Sequence, residues 1–257
     1  HSYHHDGGLT VSYRLNTGKH NLRAGLVASA GQIDRRTYIN KDGLESFMFA
    51  HDNLQARNLT LFAEDLIRLT SKLNFVADAH LVYNERNSSD RFPQPDLRPW
   101  YSHMSKKYRY FRSQSTTLNQ HWTAFNPRIG LIYSPFKGED VQLFGNLSRS
   151  YEPPTFDELV GTEVTTNINT SPKRLYAIAL DKQTATTLEL GSKGRTTRFS
   201  WNVAAYRSWV RNEILEVKDY VRGIKRTENY PTTLHQGVEV GLNAVVADNP
   251  WGTNAGK

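Results

Sequence analysis

Apolar and polar residues alternate along this chain with a period of two, and this alternation limits the fold more than any other feature of the sequence. An extended strand points successive side chains to opposite faces, so the pattern predicts half-buried β-strands. It is clearest in segment 72–83, "KLNFVADAHLVY". One face there carries Leu73, Phe75, Ala77, Ala79, Leu81 and Tyr83, and the other carries Asn74, Asp78 and His80.

The same pattern predicts about nine strands in the whole chain. Segments 198–206 and 234–244 show the same alternation. Further strands are predicted near residues 9–14, 20–29, 57–67, 123–133, 139–150 and 184–193. Segment 57–73 also allows a helical interpretation, but Thr60, Phe62 and the Thr-Ser turn after them favour a strand and a hairpin. We therefore expect an all-β fold.

The connectors between these strands alternate between short and long. The short ones are 15–19, 68–71, 134–140 and 193–197, and the long ones are 30–56, 85–121, 152–183 and 217–233. In an antiparallel meander, successive connections lie at opposite edges of the sheet, so all long loops fall at one edge. Short periplasmic turns and long extracellular loops are typical of outer-membrane barrels. The sequence thus predicts a transmembrane antiparallel β-barrel with aliphatic faces toward lipid and polar faces toward the lumen.

Composition is compatible with such a barrel. Hydrophobic residues are only 38% of the chain and the mean hydropathy is −0.61, but a barrel strand needs an apolar residue only at every second position. No apolar run is long enough for a transmembrane helix. The absence of cysteine excludes a disulfide framework and a cysteine metal site. A net charge of +7 spread along the chain is ordinary solvation, and we expect no nucleic-acid partner.

A strand-like run, "VQLFGNL", ends abruptly in "SRSYEPPTFDEL". Proline has no N–H to donate to a sheet, so Pro153 and Pro154 release the chain from the wall. Tyr151 and Phe156 flank this break and are able to pack against a loop or against a domain inside the barrel. The motif comprises Ser148, Arg149, Ser150, Tyr151, Glu152, Pro153, Pro154 and Phe156.

This motif resembles the signature of TonB-dependent receptors of the Gram-negative outer membrane. Three downstream segments resemble that family's next strands in the right order, and "FNPRIGLIYSP" (125–135) resembles the strand before the motif. The downstream segments are "ATTLELGSKG" (185–194), "WNVAAYRSWVRNEIL" (201–215) and "ENYPTTLHQGVEVGL" (228–242).

The resemblance implies a place in a larger receptor. Residues 1–257 would form about nine of the 22 strands of the family's barrel, with the plug domain and the C-terminal strands absent. The implied function is TonB-energised uptake of a ferric siderophore or a similar bulky nutrient. The implied location is integral to the outer membrane, in contact with lipopolysaccharide, and the TonB complex would act through the missing plug segment.

Two other function classes remain open at this point. A passive porin or an outer-membrane adhesin would use the same barrel without a plug, and a soluble carbohydrate-binding β protein would not need lipid. No carboxylate pair, Ser/His/Asp order, Walker motif or HExxH motif supports an enzyme. We predict no resident cofactor and no metal site, since a tag remnant or a disordered end explains His1, His4 and His5 more simply than a metal cluster does.

The long connector 85–121 is the candidate ligand-binding loop, because it interleaves cations with aromatic residues. Guanidinium groups bind carboxylate or catecholate oxygens in a bidentate manner, and aromatic faces pack against flat chelator rings. Alternatively, the cations neutralise lipopolysaccharide phosphates and the aromatic residues only pack the loop. The candidate residues are Arg98, Trp100, Tyr101, His103, Tyr108, Arg109, Tyr110 and Arg112.

Overall fold

The computed structural model describes residues 1–102, 105–136, 140–165, 174–219 and 224–245. Nearly all of these residues lie in antiparallel strands. The elements in chain order are β1 (Ser2–Asn16), β2 (His20–Lys41), β3 (Leu44–Arg68), β4 (Leu73–Asp90), β5 (Leu97–Ser102), β6 (Lys107–Arg112), β7 (Leu118–Tyr133), β8 (Val141–Glu152), α1 (Phe156–Leu159), β9 (Val160–Thr165), β10 (Arg174–Ala177), β11 (Gln183–Arg195), β12 (Phe199–Asp219) and β13 (Ile224–Ala244).

Nine long strands form one continuous wall in the order β1-β2-β3-β4-β7-β8-β11-β12-β13. Each of them coincides with a strand predicted from the alternation, and the all-β fold is confirmed. Short strands β9 and β10 extend the sheet beyond β13, and β5 pairs only with β6. His4 and His5 lie in β1, so the expectation of a disordered end was wrong. The sheet is open, with β1 at one edge.

Two of the predicted long loops, 30–56 and 217–233, are wrong, because the structure has paired strands there. The segment 30–56 is a β-hairpin in which β2 and β3 pair up to the two-residue turn at Asp42 and Gly43. Both turn residues have positive φ, 52° and 91°, which suits a tight hairpin turn. Likewise β12 and β13 pair as far as Asp219 and Ile224. The alternation missed these extensions because polar residues interrupt the apolar ones there, as around Ile33, Ile39 and Phe47, while backbone pairing continues without an unbroken apolar stripe.

Within the described part of the chain, neighbouring strands are joined at the opposite edge of the wall by short connections. β1 and β2, β3 and β4, β7 and β8, and β11 and β12 are joined there by residues 17–19, 69–72, 134–140 and 196–198. The longer segments that the structure describes, including the β5–β6 hairpin and α1, lie at the other edge. The predicted asymmetry of the two edges is therefore confirmed.

Strand register divides the wall into an apolar face and a polar face, because paired residues of neighbouring strands point the same way. Leu81 pairs with Leu61 on β3 and Phe125 on β7, and Leu81 is 54% exposed. On the other face, Asp78 forms an ion pair with Arg128. The structure thus puts the residues of 73–81 on the faces that the sequence predicted.

The residues that the structure describes include no helix with the length and apolar character that crossing a membrane would require.

We predict that a charge on the apolar face of β4 is costly and that the same charge on the polar face is tolerated. Ala79 lies between Phe75 and Leu81 on the apolar face, and Ala79→Arg should lower the free energy of unfolding in a bilayer by about 2–4 kcal/mol. His80→Arg is the matched control, because His80 lies on the polar face 3.6 Å from Glu64. Denaturant titration of the full-length protein in lipid vesicles measures the free energy of unfolding of both variants. Equal losses would contradict the assignment of the faces.

Candidate ligand-binding site

The sequence motif ends β8 and turns the chain back over the polar face of the wall. The last residue of β8 is Glu152, which pairs with Gln183, and Pro154 follows as a fully buried residue. The backbone N–H of Thr155 donates to the Glu158 carboxylate at 2.6 Å, which caps the single turn α1. The predicted strand end at the two prolines is confirmed.

The turn α1 is fixed to the polar face by two cations from distant strands. The Arg86 guanidinium of β4 lies 5.9 Å from the centre of the Phe156 ring, and Arg86 also donates to Asn58 at 2.9 Å. Arg35 of β2 contacts the Asp157 carboxylate at 3.0 Å. Since β2 is four strands away from β8 in the sheet, this segment crosses over much of the polar face.

A small apolar cluster packs beside α1 at the same edge of the wall. The indole N–H of Trp122 donates to the backbone oxygen of Leu180 at 3.2 Å. Leu159 and Val160 are buried against them, and Tyr151 packs at the margin of the cluster. The packing of Tyr151 against a neighbouring loop was predicted from its place before the double proline.

Arg98 is the anchor of the β5–β6 hairpin. Its side chain is completely buried, and its Nη2 lies 2.5 Å from the Asp90 carboxylate. It also donates to the backbone oxygens of Phe49 at 3.0 Å and Pro95 at 3.2 Å, and it lies 4.9 Å from the Phe92 ring centre. All of its interactions are made within the chain, so Arg98 positions the hairpin and has no free donor face for a ligand.

The same ion pair extends into a buried network along the edge of the wall. The backbone N–H of Thr116 donates to Asp90 at 3.0 Å and its hydroxyl donates to Asp52 at 2.5 Å. Asp52 in turn lies 3.4 Å from Arg35. The network therefore links the hairpin, the segment before β7 and α1 to strands β2, β3 and β4.

The other candidate residues of the hairpin divide into packed and exposed ones. Tyr101 is buried, and the Tyr108 hydroxyl lies 2.6 Å from Ser46 on the β2–β3 hairpin. The Lys41 ammonium lies 5.6 Å from both tyrosine rings. Trp100 is half-buried, and His103 lies outside the described residues.

Arg109, Tyr110 and Arg112 are exposed, and Tyr110 is 64% accessible. Neither arginine forms an ion pair with a residue that the structure describes. We call Trp100, Arg109, Tyr110 and Arg112 the exposed hairpin residues. They keep the cation and aromatic character that the sequence predicted, on a hairpin whose base is held by Arg98.

The remaining motif residues lie in or near the β8–β11 ladder. Ser148, Arg149, Ser150 and Glu152 pair with residues of β11, and Glu152 accepts a hydrogen bond from Gln183 at 3.0 Å. Pro153 directly follows the strand. Sequence reasoning did not identify Arg35, Asp52 or Asp157, and it counted Arg86 only among the cations of the connector 85–121. Their partners are far away in the chain, and no local spacing marks these contacts.

A separate polar group lies on the extension of β12 and β13. The Thr233 hydroxyl donates to the Glu213 carboxylate, and His235 lies 3.2 Å from it. The hydrogen bond from Thr233, followed by that from His235, lowers the pKa of Glu213 below its usual value although burial opposes this. No group of three or more metal-binding side chains is found among the described residues.

We predict that Arg98→Ala loosens the β5–β6 hairpin while Arg112→Ala does not. Removing one partner of a buried ion pair leaves an uncompensated charge and costs about 3–5 kcal/mol, whereas Arg112 is exposed. Limited proteolysis of the folded full-length protein should therefore cut Arg98→Ala faster within 91–117. An Arg98→Met/Asp90→Leu double variant should regain most of the resistance. Equal cleavage of the two single variants would contradict the anchoring role.

We predict that the β12–β13 extension loses protection in acid because of Glu213. A carboxyl whose pKa is lower in the folded state stabilises that state above its unfolded pKa, and this stabilisation disappears as the pH falls through the folded pKa. The hydrogen-exchange protection factors of residues 213–217 and 226–233 should therefore fall below a pH of about 4. Glu213→Gln should exchange faster at neutral pH and respond less to acid. An unchanged pH response in Glu213→Gln would contradict this.

Comparison with known proteins identifies a family model and solved structures that share this architecture. A sequence model described as TonB dependent receptor-like, beta-barrel matches residues 1–256. The copper transporter OprC superposes with a TM-score of 0.68 at 14% identity, over 96% of this chain and 36% of OprC. The siderophore receptor PiuA from Acinetobacter baumannii superposes with a TM-score of 0.65 at 14% identity, over 96% of this chain and 36% of PiuA. The ferric-catecholate import receptor Fiu from Escherichia coli K12 superposes with a TM-score of 0.59 at 15% identity, over 96% of this chain and 35% of Fiu.

The chain spans about a third of the length of these solved receptors. A comparison with curated protein sequences found no match. The solved structures share the fold, and the sequence model covers almost the entire chain, in agreement with the motif and the asymmetric wall described above. This chain belongs to the β-barrel family of TonB-dependent receptors.

Proposed function

We propose that this chain is part of the barrel of an outer-membrane receptor that takes up a ferric siderophore with energy delivered through TonB. The observation that carries the proposal is the anchored β5–β6 hairpin at the edge of the wall opposite the short turns. It presents aromatic rings and two arginines that form no ion pair with a described residue. The family and its solved neighbours are transport receptors rather than enzymes. Two of these neighbours are named for siderophore or ferric-catecholate import.

The parts of the receptor outside residues 1–257 follow from the same proposal. A plug domain fills the lumen and carries the segment that contacts TonB, and further strands complete the barrel around it. The polar face of the wall supports this, since Arg128 and the residues around it lie on the side that would surround a plug. Family membership favours this receptor over a passive porin or an adhesin.

The ligand is an anionic iron chelate held by the exposed hairpin residues. Arg109 and Arg112 are free to form bidentate hydrogen bonds to carboxylate or catecholate oxygens. Tyr110 and Trp100 offer ring faces for a flat chelating group. Arg98, Tyr101 and Tyr108 do not contact the ligand themselves. They position the hairpin through their contacts within the chain. Pre-ordering of this kind reduces the entropy that binding would otherwise cost.

An uptake assay tests the transport function. Cells that express the full-length protein should accumulate radioactive iron from at least one member of a panel of ferric chelates, and deletion of TonB should abolish this uptake. Uptake that persists without TonB would indicate a passive pore and would overturn the proposal.

We predict that Arg109→Ala/Arg112→Ala weakens binding of the transported chelate about tenfold or more, the order expected when charge-assisted hydrogen bonds are lost. The wild-type affinity should fall with added salt, and the variant should respond less. Isothermal titration of the purified protein measures the affinity and its dependence on salt. The matched control is Lys193→Ala/Arg195→Ala, which removes the same charge from the edge with the short turns. Equal affinities of the two double variants would exclude the hairpin from the ligand site.

A further inference from the structure

The ladder of the wall is incomplete between β7 and β8. Six residue pairs join these two strands, and the last pair toward the edge with the long segments is Arg128 with Ser148. Both strands remain paired on their other sides, β7 with β4 up to Leu118 and β8 with β11 up to Glu152. Pro127 is the next residue of β7, and it has no N–H to donate to β8. We call the gap beyond this last pair the seam.

The seam passes through the thickness of the wall. A cleft of about 290 Å³ lies there, and Leu81 and Phe125 of the apolar face line it. Asn126 lines the same cleft and pairs with His80 on the polar face. Because residues of both faces line one cleft, the cleft reaches between the two strands and does not lie on one surface of the wall.

The segment 174–182, which leads into β11, bridges the seam, and we call it the strap. The backbone oxygen of Leu180 accepts a hydrogen bond from the Trp122 indole at 3.2 Å. The Lys182 ammonium contacts the backbone oxygen of Thr123. Both partners belong to β7, and both lie beyond the last ladder pair.

The other end of the strap is fixed to β8 through β11. Gln183, which directly follows the strap, pairs with Glu152 and donates a hydrogen bond to its carboxylate at 3.0 Å. The Lys182 ammonium also lies 5.9 Å from the centre of the Tyr151 ring on β8. The strap therefore connects β7 to the β8–β11 ladder where β7 and β8 themselves are unpaired.

The closed seam holds two buried polar atoms that lack a partner. They are the side-chain oxygen of Asn126 on β7 and the hydroxyl of Tyr151 on β8, and neither has a hydrogen-bond partner in the part of the chain that the structure describes. A buried polar group without a partner costs free energy, and contact with water removes this cost. Separation of β7 and β8 would thus offset part of the free energy that breaking the strap contacts requires.

The strap also contacts the end of the β5–β6 hairpin. The backbone oxygen of Leu175 accepts hydrogen bonds from the Ser113 hydroxyl and from the Gln114 backbone N–H, both at 3.0 Å. Ser113 directly follows Arg112, which is one of the exposed hairpin residues. Two hydrogen bonds therefore join the strap to the hairpin to which we assign ligand binding.

We propose that the strap is releasable and that its release opens the seam during uptake. The strands β7 and β8 then separate beyond Arg128 and Ser148, and the mouth of the barrel widens beside the β5–β6 hairpin to admit a bulky chelate. A few side-chain contacts open more easily than a ladder in register, so this part of the wall separates first. The inference rests on the uptake function proposed above.

The six ladder pairs below the seam keep the rest of the wall closed when the strap is released. Ser148 is the eighth residue of β8, counted from the edge with the short turns. About 9–11 residues of a tilted strand cross the hydrocarbon layer. The seam therefore begins near the outer end of the membrane crossing, where water can reach the separated strands.

A reversible cross-link between the strap and β7 tests this proposal. Thr123→Cys/Lys182→Cys in the full-length receptor, joined by a short bifunctional methanethiosulfonate, should bind the transported chelate like the wild type but lose uptake, and a reducing agent should restore uptake. The matched control is Ile129→Cys/Leu147→Cys, which joins a ladder pair below the seam and should leave uptake unchanged. Wild-type uptake by the cross-linked strap variant would overturn the proposal. A loss of affinity in proportion to the loss of uptake would overturn it too.

A second measurement tests the strap without uptake. Nitroxide labels at Thr123→Cys and Arg149→Cys lie on opposite sides of the seam, and their dipolar broadening in electron paramagnetic resonance reports how close β7 and β8 are. Lys182→Met should reduce this broadening, whereas Lys193→Met near the short-turn edge should not. Unchanged broadening in Lys182→Met would overturn the proposal. Absence of uptake by the wild type would refute the proposed function instead, and the broadening would still decide whether the strap holds the seam.

Discussion

Backbone hydrogen bonding is the constraint on which the rest of this structure depends. A chain in hydrocarbon has to pair every N–H and C=O group within the protein, because lipid offers no partner. The antiparallel ladder of the nine-strand wall pairs backbone groups between neighbouring strands, and it fixes which residues share a face. The apolar stripe of 73–81 and the polar stripe with Asp78 and His80 follow from that register. Departures from the ladder, such as the strand end at Pro153, lie toward the edge with the long segments.

Away from the ladder, polar segments need another means of staying in place. The buried ion pair of Arg98 and Asp90 serves this purpose for the β5–β6 hairpin, and Thr116 joins it to Asp52 and Arg35. A buried ion pair contributes little net stability, since desolvation offsets much of the attraction. Its value here is geometric, because several hydrogen bonds of fixed direction hold one guanidinium group. The exposed hairpin residues thereby sit on an ordered support.

The sequence predicted the part of the fold in which physics imposes a repeating pattern. Leu81 and Asp78 could be assigned to opposite faces because a half-buried strand alternates with a period of two. Strand pairing beyond that band has no such signature, so the sequence predicts a loop where the structure has the hairpin around Asp42 and Gly43. The prolines of the motif marked the end of β8, but not the contacts of Phe156 with Arg86 or of Asp157 with Arg35. Those partners come from strands β4 and β2, and only the folded sheet brings them together.

The hairpin of β2 and β3 has a consequence for how such a surface changes over evolutionary time. Its two strands meet in a turn of only two residues, far from the short-turn edge that sets the register of the wall. Adding or removing one residue on each strand near that turn would lengthen or shorten the hairpin, and the remaining pairs would keep their register. A loop without pairing would have to repack after each such change. The outermost tip is thus free to vary in length, with the register of the sheet below it unaffected.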